Sequence, residues 1–340
     1  MLINQDFAQS GPKSPVKRRL ELVSTVDLRS DKGNHPTDFD LATKLLQETI
    51  MKIDGAYAPS TIRAYRVDFQ DLIKFCAERN AQPLPAQPQL VAEYICRLTN
   101  SGRSSASIRR AIAGIATIHK LNRLTDPTKD PDVILEMRRM HRQLGRASNQ
   151  AQGITCDLLN QMLLATEENV KGLRDRALLL ISYDTLCRRS ELTALRIEDV
   201  KMSVQNSLEH MTILLRRSKT DQDSSGRILH ISADARLALQ KWMEALGQVE
   251  GPLFRGVDRG LKITKHLGSG QINRIFKRLA HLAHIDPKLI LNISGHSMRV
   301  GHAQDLVKSG ASLPILMSRG RWTKTDTVMR YVEHLNYQCV

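Results

Sequence analysis

No stretch of this 340-residue chain approaches the about 18 consecutive apolar residues of a membrane-spanning helix, and the longest candidate, Ala177 to Ile181, is a core segment. Nor does the N-terminus, Met1 to Asp40, contain the apolar stretch of a secretory signal, so a cytoplasmic protein is expected. Cysteine is sparse: Cys76, Cys96, Cys156, Cys187 and Cys339 are odd in number, widely spaced and without a C-x-x-C pair. That argues against a disulfide framework and against a cysteine zinc site, and predicts reduced, mostly buried thiols. Acidic residues nowhere cluster with histidine as a divalent-metal site requires, and no internal repeat or low-complexity block is visible. No metal or other cofactor is expected. Acid is also in deficit, with 35 Asp and Glu against 50 Lys and Arg and a formal charge of +15. This is the balance of a protein that binds a polyanion, and with no membrane span the expected partner is nucleic acid.

The length suggests two domains. Residues 1–40 mix Gly11, Pro12, Pro15, Gly33 and Pro36 with the run Lys17-Arg18-Arg19, too little apolar content to fold alone, and are expected to form a flexible basic arm. From Leu41 the pattern is helical. Ser60 is placed to cap a helix with Ile62, Tyr65, Phe69, Leu72, Ile73 and Cys76 on one stripe and Arg63, Arg66 and Asp68 off it. Further helices follow through Leu90 to Leu98, from Ser104 through Ile118, and through Val133, Leu135, Met137, Met140 and Leu144. Residues 41–145 therefore predict a helical bundle, and the Gly, Ala, Ser, Asn and Gln of 146–153 a linker.

In the second domain, 154–340, Thr155 and Asp157 start a helix and Arg174 to Leu186 forms a buried one. Two strand-type stretches, Met211 to Arg216 and Arg227 to Ile231, flank a turn-rich segment and predict a β-hairpin with Lys219 near its tip. Helices return at Ser269 to Ile285, Ser297 to Ser309, Ser312 to Arg319 and Thr325 to Leu335.

Several residues suit work on an anion, each with a plainer alternative. His296 and Arg299, three apart on one helical face, suit a two-donor grip on phosphate, although many surface helices carry such a pair as solvated charges. Arg188 and Glu191 are at i and i+3, where a carboxylate can hold a neighbouring cation or make an ordinary surface ion pair. Lys219 at a turn is ordinarily solvent-exposed, and Trp322 an ordinary core aromatic. Tyr331 shares a stripe with Val328, Val332 and Leu335 and fits a packed tyrosine; Tyr337 competes with it.

Taken in order, Arg188-x-x-Glu191, Lys219 in a hairpin, His296-x-x-Arg299, Trp322 and Tyr331 resemble the catalytic signature of the tyrosine site-specific recombinases, in particular the Cre-like branch of that family. Thr185-Leu-Cys-Arg188, Ser218-Lys-Thr220, Ser294-Gly-His-Ser297, Arg299-Val-Gly301, Trp322-Thr323 and Val328-Met329 carry the resemblance, which extends over residues 56 to 335. Each piece is weak, but seven residue types in order within about 145 residues is a specific signal. Met298 and His302 depart from the pattern at positions without a catalytic role. Only nine residues follow Tyr331, where Cre-like enzymes continue into a helix that docks on a neighbouring subunit, so the assembly is expected to differ in detail.

The resemblance implies a mainly α fold: a SAM-like core-binding bundle, then a mostly helical catalytic domain with a small antiparallel sheet. It also implies a homotetramer on two double-stranded DNA sites, a dimer per site, passing through a Holliday junction. Arg188 and Arg299 would clamp the non-bridging oxygens with help from His296 and Trp322, and Glu191 would orient the network. Tyr331 would be the nucleophile, His296 its base and Lys219 the acid for the leaving 5′ oxygen. Phosphate and base contacts are expected from Arg63 and Arg66, from Ser107 and Arg110, and from Gln271, Arg274 and Lys277. Two alternatives are an integrase or dimer resolvase that uses accessory proteins, and a DNA-binding regulator that does not cut; the latter would not need Tyr331 and Arg299.

Overall fold

The computed structural model describes residues 38–146, 150–205, 207–217 and 226–332. Most of the N-terminal arm, Lys219 with its turn, Tyr337 and Cys339 lie outside the described residues. The chain divides into two compact units, Met1–Ser148 and Asn149–Val340, and is mainly α-helical with one small antiparallel sheet. Among the described residues no helix is long and apolar enough to cross a membrane.

The first unit contains helices α1 (Asp38–Lys52), α2 (Pro59–Ala77), α3 (Pro88–Asn100), α4 (Ser105–Leu121) and α5 (Pro131–Leu144). Proline opens α2, α3 and α5, where its missing N–H would be unpaired in any case and its φ is already helical. This corrects the expected cap of α2: Ala58 is the N-cap residue, and Ser60 sits inside the first turn. Ser104 does cap α4, its Oγ accepting the Ser107 N–H at 3.3 Å. Phe69, Leu72 and Phe75 of α2 pack with Tyr94 and Ile95 of α3 and Ile108 and Ile115 of α4, each such burial contributing roughly 1.5–3 kcal/mol. In α5, Val133 and Met140 are buried but Leu135 is exposed, because 133, 137, 140 and 144 share one helical face and 135 falls off it.

The second unit contains α6 (Cys156–Leu164), α7 (Val170–Thr185), α8 (Arg189–Leu192), β1 (Val200–Gln205), β2 (Leu208–Leu215), β3 (Arg227–His230), α9 (Ala233–Leu246), α10 (Ser269–Leu282), α11 (Pro287–Leu291), α12 (Ser297–Lys308), α13 (Leu313–Gly320) and α14 (Thr325–Val332). Helix α7 carries the run Ala177 to Ile181 through the core. Strand order is β1-β2-β3, all antiparallel, with Ile213 paired to Val200 on one side and Leu229 on the other. Met211, Ile213 and Leu215 point into the core. The hairpin is thus joined by a third strand, β1, whose residues 201–204 are all exposed and so lack the alternation that marks a half-buried strand. Ahead of α6 the chain is strapped across α12: the Gln152 N–H donates to the Asn292 carbonyl at 3.0 Å, and the Ile154 N–H to that of Ser297 at 2.9 Å.

The four described cysteines are free, but only Cys76 and Cys187 are buried. Cys96 lies on the exposed 93–96–100 edge of α3 and Cys156 begins α6 at the surface, so the described thiols divide evenly between buried and exposed.

Candidate active site

The site is built where α7 ends. Leu186 takes a left-handed conformation, φ 49°, that stops the helix and turns the chain into α8, leaving Arg188 as the N-cap residue. Glu191, three residues on, accepts the Arg188 backbone N–H at 2.9 Å through one oxygen and the Arg188 guanidinium at 2.6 Å through the other. The carboxylate that caps this short helix therefore also orients the arginine.

Arg299, on the first turn of α12, is 1% exposed. Its two terminal nitrogens donate to the carbonyls of Leu186 and Gly320, the latter at 2.7 Å, while its Nε is buried with no partner among the described residues. His296 is the N-cap residue of α12 and keeps solvent exposure, with Arg299, Arg188 and Arg189 around it. The expected pair thus divides its labour: Arg299 is clamped inside, and His296 stands at the rim.

Trp322 follows α13 and folds back over Gly320; a Cβ on that glycine would fall 2.1 Å from the ring. Together with Leu186, Ala303, Leu316 and Val328 it forms a small cluster against which Tyr331 of α14 packs. The Trp322 and Tyr331 ring centroids are 5.5 Å apart, the Arg299 guanidinium lies 5.0 Å from the Trp322 ring, and the indole Nε1 is buried without a partner among the described residues. Gln304 of α12 donates to the Tyr331 backbone carbonyl at 3.2 Å and ties α14 to the arginine-bearing helix. Arg188, Glu191, His296, Arg299, Trp322 and Tyr331 are thereby brought to one place.

The electrostatics follow from this crowding of cations. Burial, then the Arg188 and Arg321 charges, brings the Arg299 guanidinium down to about 10, still protonated at neutral pH. Desolvation and the three nearby arginines hold the His296 imidazole below its ordinary value, which keeps it neutral and able to accept a proton. Burial pushes the Glu191 carboxyl up, but the Arg188 backbone and side-chain bonds and the Arg321 charge outweigh it, leaving it below the usual carboxylate range.

One residue of this centre was not singled out from the sequence. Arg321, 6% exposed, donates to Glu191 at 3.0 Å and to the carbonyls of Thr185 at 2.9 Å and Leu186 at 3.3 Å. Beside Trp322 in sequence it looks like one more basic residue of a basic chain, and no spacing rule links it to Glu191, 130 positions earlier.

The residues expected at the DNA differ in how free they are. Arg63 and Arg66 are exposed on α2 and Arg274 on α10. Arg110 spends its guanidinium on Asp68 in two bonds, at 2.8 and 2.9 Å. Ser107 shares a hydroxyl contact with Ser104 at 2.9 Å, Gln271 accepts the Gly268 N–H at 2.7 Å, and Lys277 donates to the Leu291 carbonyl at 2.9 Å.

Comparison with known proteins agrees with this architecture. The Phage integrase family model matches residues 153–338, and the model for the phage integrase N-terminal SAM-like domain matches residues 48–122. The chain is 28% identical over 297 residues to an integrase/recombinase xerD homolog of Selenomonas ruminantium, covering 84% of each. It is 27% identical over 278 residues to Recombinase cre of Escherichia phage P1, covering 77% of this chain and 80% of that one. The fold is shared with the XerH site-specific recombinase bound to difH substrate in a pre-cleavage complex, at a TM-score of 0.58 and 14% identity, covering 90% of this chain and 95% of that one. With the first of these models matching more than half its length, the chain belongs to the phage integrase family and is a tyrosine recombinase.

Proposed function

We propose that this chain is a site-specific DNA recombinase that cuts and rejoins duplex DNA through a 3′-phosphotyrosine formed at Tyr331. The observation that carries the reading is the convergence on one cluster of buried donors without a partner among the described residues, Arg299 Nε and Trp322 Nε1, with the phenol ring of Tyr331 packed against that indole. A phosphodiester repels nucleophiles by its own negative charge, so its cleavage calls for donors aimed at the non-bridging oxygens and a nucleophile held in line. Here the donors are Arg188, Arg299 and Trp322.

Tyr331 Oη attacks phosphorus and the bond to the 5′ oxygen breaks. The phenol proton passes to His296, whose neutral imidazole suits a base. The departing 5′ oxygen takes a proton from Lys219, a role that rests on the family resemblance. The tyrosyl ester conserves the bond energy, so a second strand's 5′ hydroxyl reverses the steps and religates without nucleotide or metal. The first unit and the exposed arginines Arg63, Arg66 and Arg274 hold the duplex, and a homotetramer on two sites, a dimer per site, supplies the four cleavages of a full exchange.

The test is a nicked suicide substrate that traps covalent protein. The wild type should form a protein–DNA adduct that resists denaturation and persists in EDTA, and Tyr331→Phe should bind the same DNA and form none. An adduct in Tyr331→Phe would move the nucleophile, with Tyr337 as the next candidate.

A further inference from the structure

Arg321 stands in a position built for glycine. It closes α13 with φ 54° and ψ 44°, a left-handed conformation that crowds the Cβ of any L-residue and that glycine enters freely. An arginine is nevertheless there, and its guanidinium is buried. That guanidinium donates to Thr185 O, Leu186 O and Glu191 Oε2 and contacts the Cys187 sulfur at 3.6 Å.

Two of these contacts, Glu191 and the Leu186 carbonyl, place one of the two phosphate-facing arginines each. Glu191 Oε2 takes Arg321 while Glu191 Oε1 takes Arg188, so the carboxylate is stretched between two cations and cannot swing without releasing one. The Leu186 carbonyl accepts from Arg321 and from Arg299. The carbonyl of Gly320, the residue joined to Arg321, is the other acceptor of Arg299.

We infer that Arg321 is a positioning residue of the recombinase site, pinning Glu191 and the Leu186 carbonyl so that Arg188 and Arg299 are presented to the scissile phosphate. It does not touch the phosphate on this reading; it acts through Glu191 and the Leu186 carbonyl. The inference rests on the phosphotyrosine reading, and the experiment is arranged so that the two fail differently.

The variants are Arg321→Gly, which removes the side chain and suits the backbone, Arg321→Lys, Glu191→Gln, and Arg321→Gly with Glu191→Gln. Each is assayed for single-turnover adduct formation on the suicide substrate and for DNA binding by gel shift. Arg321→Gly should slow cleavage by about tenfold with binding unchanged, and Arg321→Lys, which keeps a cation beside Glu191, should recover part of the loss. Arg321→Gly should cost less in the Glu191→Gln background than in the wild type, because only the Leu186 carbonyl is then left for the arginine to act through.

The pH profile is the readout that a merely structural role would not move. Glu191 faces Arg188 on its own turn, Arg321 from the end of α13, and Arg299 and His296 from α12, with the Cys187 thiol kept neutral by burial. Losing Arg321 removes one of the groups that hold the carboxyl down, so the acid limb of the cleavage rate should begin at a higher pH in Arg321→Gly than in the wild type. Losses that multiply in the double variant, or an Arg321→Gly rate and acid limb equal to the wild type's, would overturn the inference and leave the recombinase reading standing. A wild type that binds DNA without ever forming an adduct would overturn both.

Discussion

The Trp322 indole stands against the Tyr331 phenol ring at 57°, with centroids 5.5 Å apart, and presents a buried N–H that nothing among the described residues accepts. A buried donor left unpaired costs free energy in the free protein. On the proposed reading an anion supplies the acceptor at the moment charge develops, and Trp322 would do two things at once: pack against Tyr331 and offer a hydrogen bond.

These two roles separate by substitution. Trp322→Phe keeps most of the ring contact with Tyr331 and Arg299 but removes the N–H, and should slow adduct formation by about a hundredfold with DNA affinity little changed. Trp322→Ala removes the packing as well, in a cluster with Leu186, Leu316 and Val328, and should cost roughly 3–5 kcal/mol of stability. Stopped-time cleavage and thermal melts of the pair decide it; a Phe variant that cleaves like the wild type would take the indole out of the chemistry.

Arg299 is a residue for which lysine is no substitute. Its environment brings a guanidinium down to about 10, and the same burial and neighbours acting on an ammonium, whose ordinary value is about 10.4, carry it toward neutrality at working pH. A lysine also cannot reach the Leu186 and Gly320 carbonyls together. Arg299→Lys should therefore be severely impaired near pH 8 and regain part of its cleavage rate as the pH is lowered and the amine charges. A rate that rises with pH instead would show that the charge at 299 is not what is lost.

The strap across α12 makes a stability prediction. A Cβ on Gly301 would fall 1.8 Å from the Ile154 carbonyl oxygen and 2.6 Å from the Thr155 nitrogen, both backbone atoms that cannot turn aside. Gly301→Ala should cost roughly 3 kcal/mol, about 6–12 °C in Tm for a unit of this size, as the Ile154 to Ser297 hydrogen bond opens. Gly270→Ala is the control, since a Cβ there meets nothing within 4 Å. Equal melting of the two variants would mean that the strap gives way easily.

What could be read from the sequence followed local chemistry. Arg188 and Glu191 are three apart, and the geometry that joins them is one turn of helix. The stripe of α2 and the Ser104 cap of α4 are equally local, which is why both helices were legible within three residues of their ends. Strand β1 was not, because its residues 201–204 are all exposed and carry no alternation, and neither was α9, although Ser232 caps it. Arg321 was illegible for a different reason: its partners Thr185, Leu186 and Glu191 are supplied by α7 and α8, and only the tertiary fold brings the end of α13 to them. The Arg110 bonds to Asp68 belong to the same class, since α4 must pack beside α2 before the two side chains meet.

His119 supplies a pH prediction for the first unit. It is fully buried in α4, its Nε2 accepts the Ala86 N–H at 3.0 Å, and its Nδ1 bonds the Ile115 carbonyl at 2.8 Å. That pair of bonds requires the neutral ring with its proton on Nδ1, and burial holds the imidazole below its ordinary value, outweighing the Ile115 bond and the Asp126 charge. The unfolded chain charges this histidine near its ordinary value of about 6.5, while the folded chain resists doing so, so the unfolded state binds more protons as pH falls. Stability should therefore drop below about pH 6.5, with a slope approaching roughly 1.4 kcal/mol per pH unit from this group until the folded ring itself protonates. His119→Gln keeps an acceptor for Ala86 at the cost of the Ile115 bond; it should be about 1 kcal/mol less stable at pH 8 and should lose less as the pH is lowered, so that the gap closes toward pH 5. Circular dichroism melts across that range follow it, and because Trp242 and Trp322 both lie in the second unit, a transition silent in tryptophan fluorescence is the first unit's own. Parallel wild-type and variant curves from pH 8 to 5 would show that His119 takes up its proton in the fold as readily as in the unfolded chain, and that burial there carries no electrostatic cost.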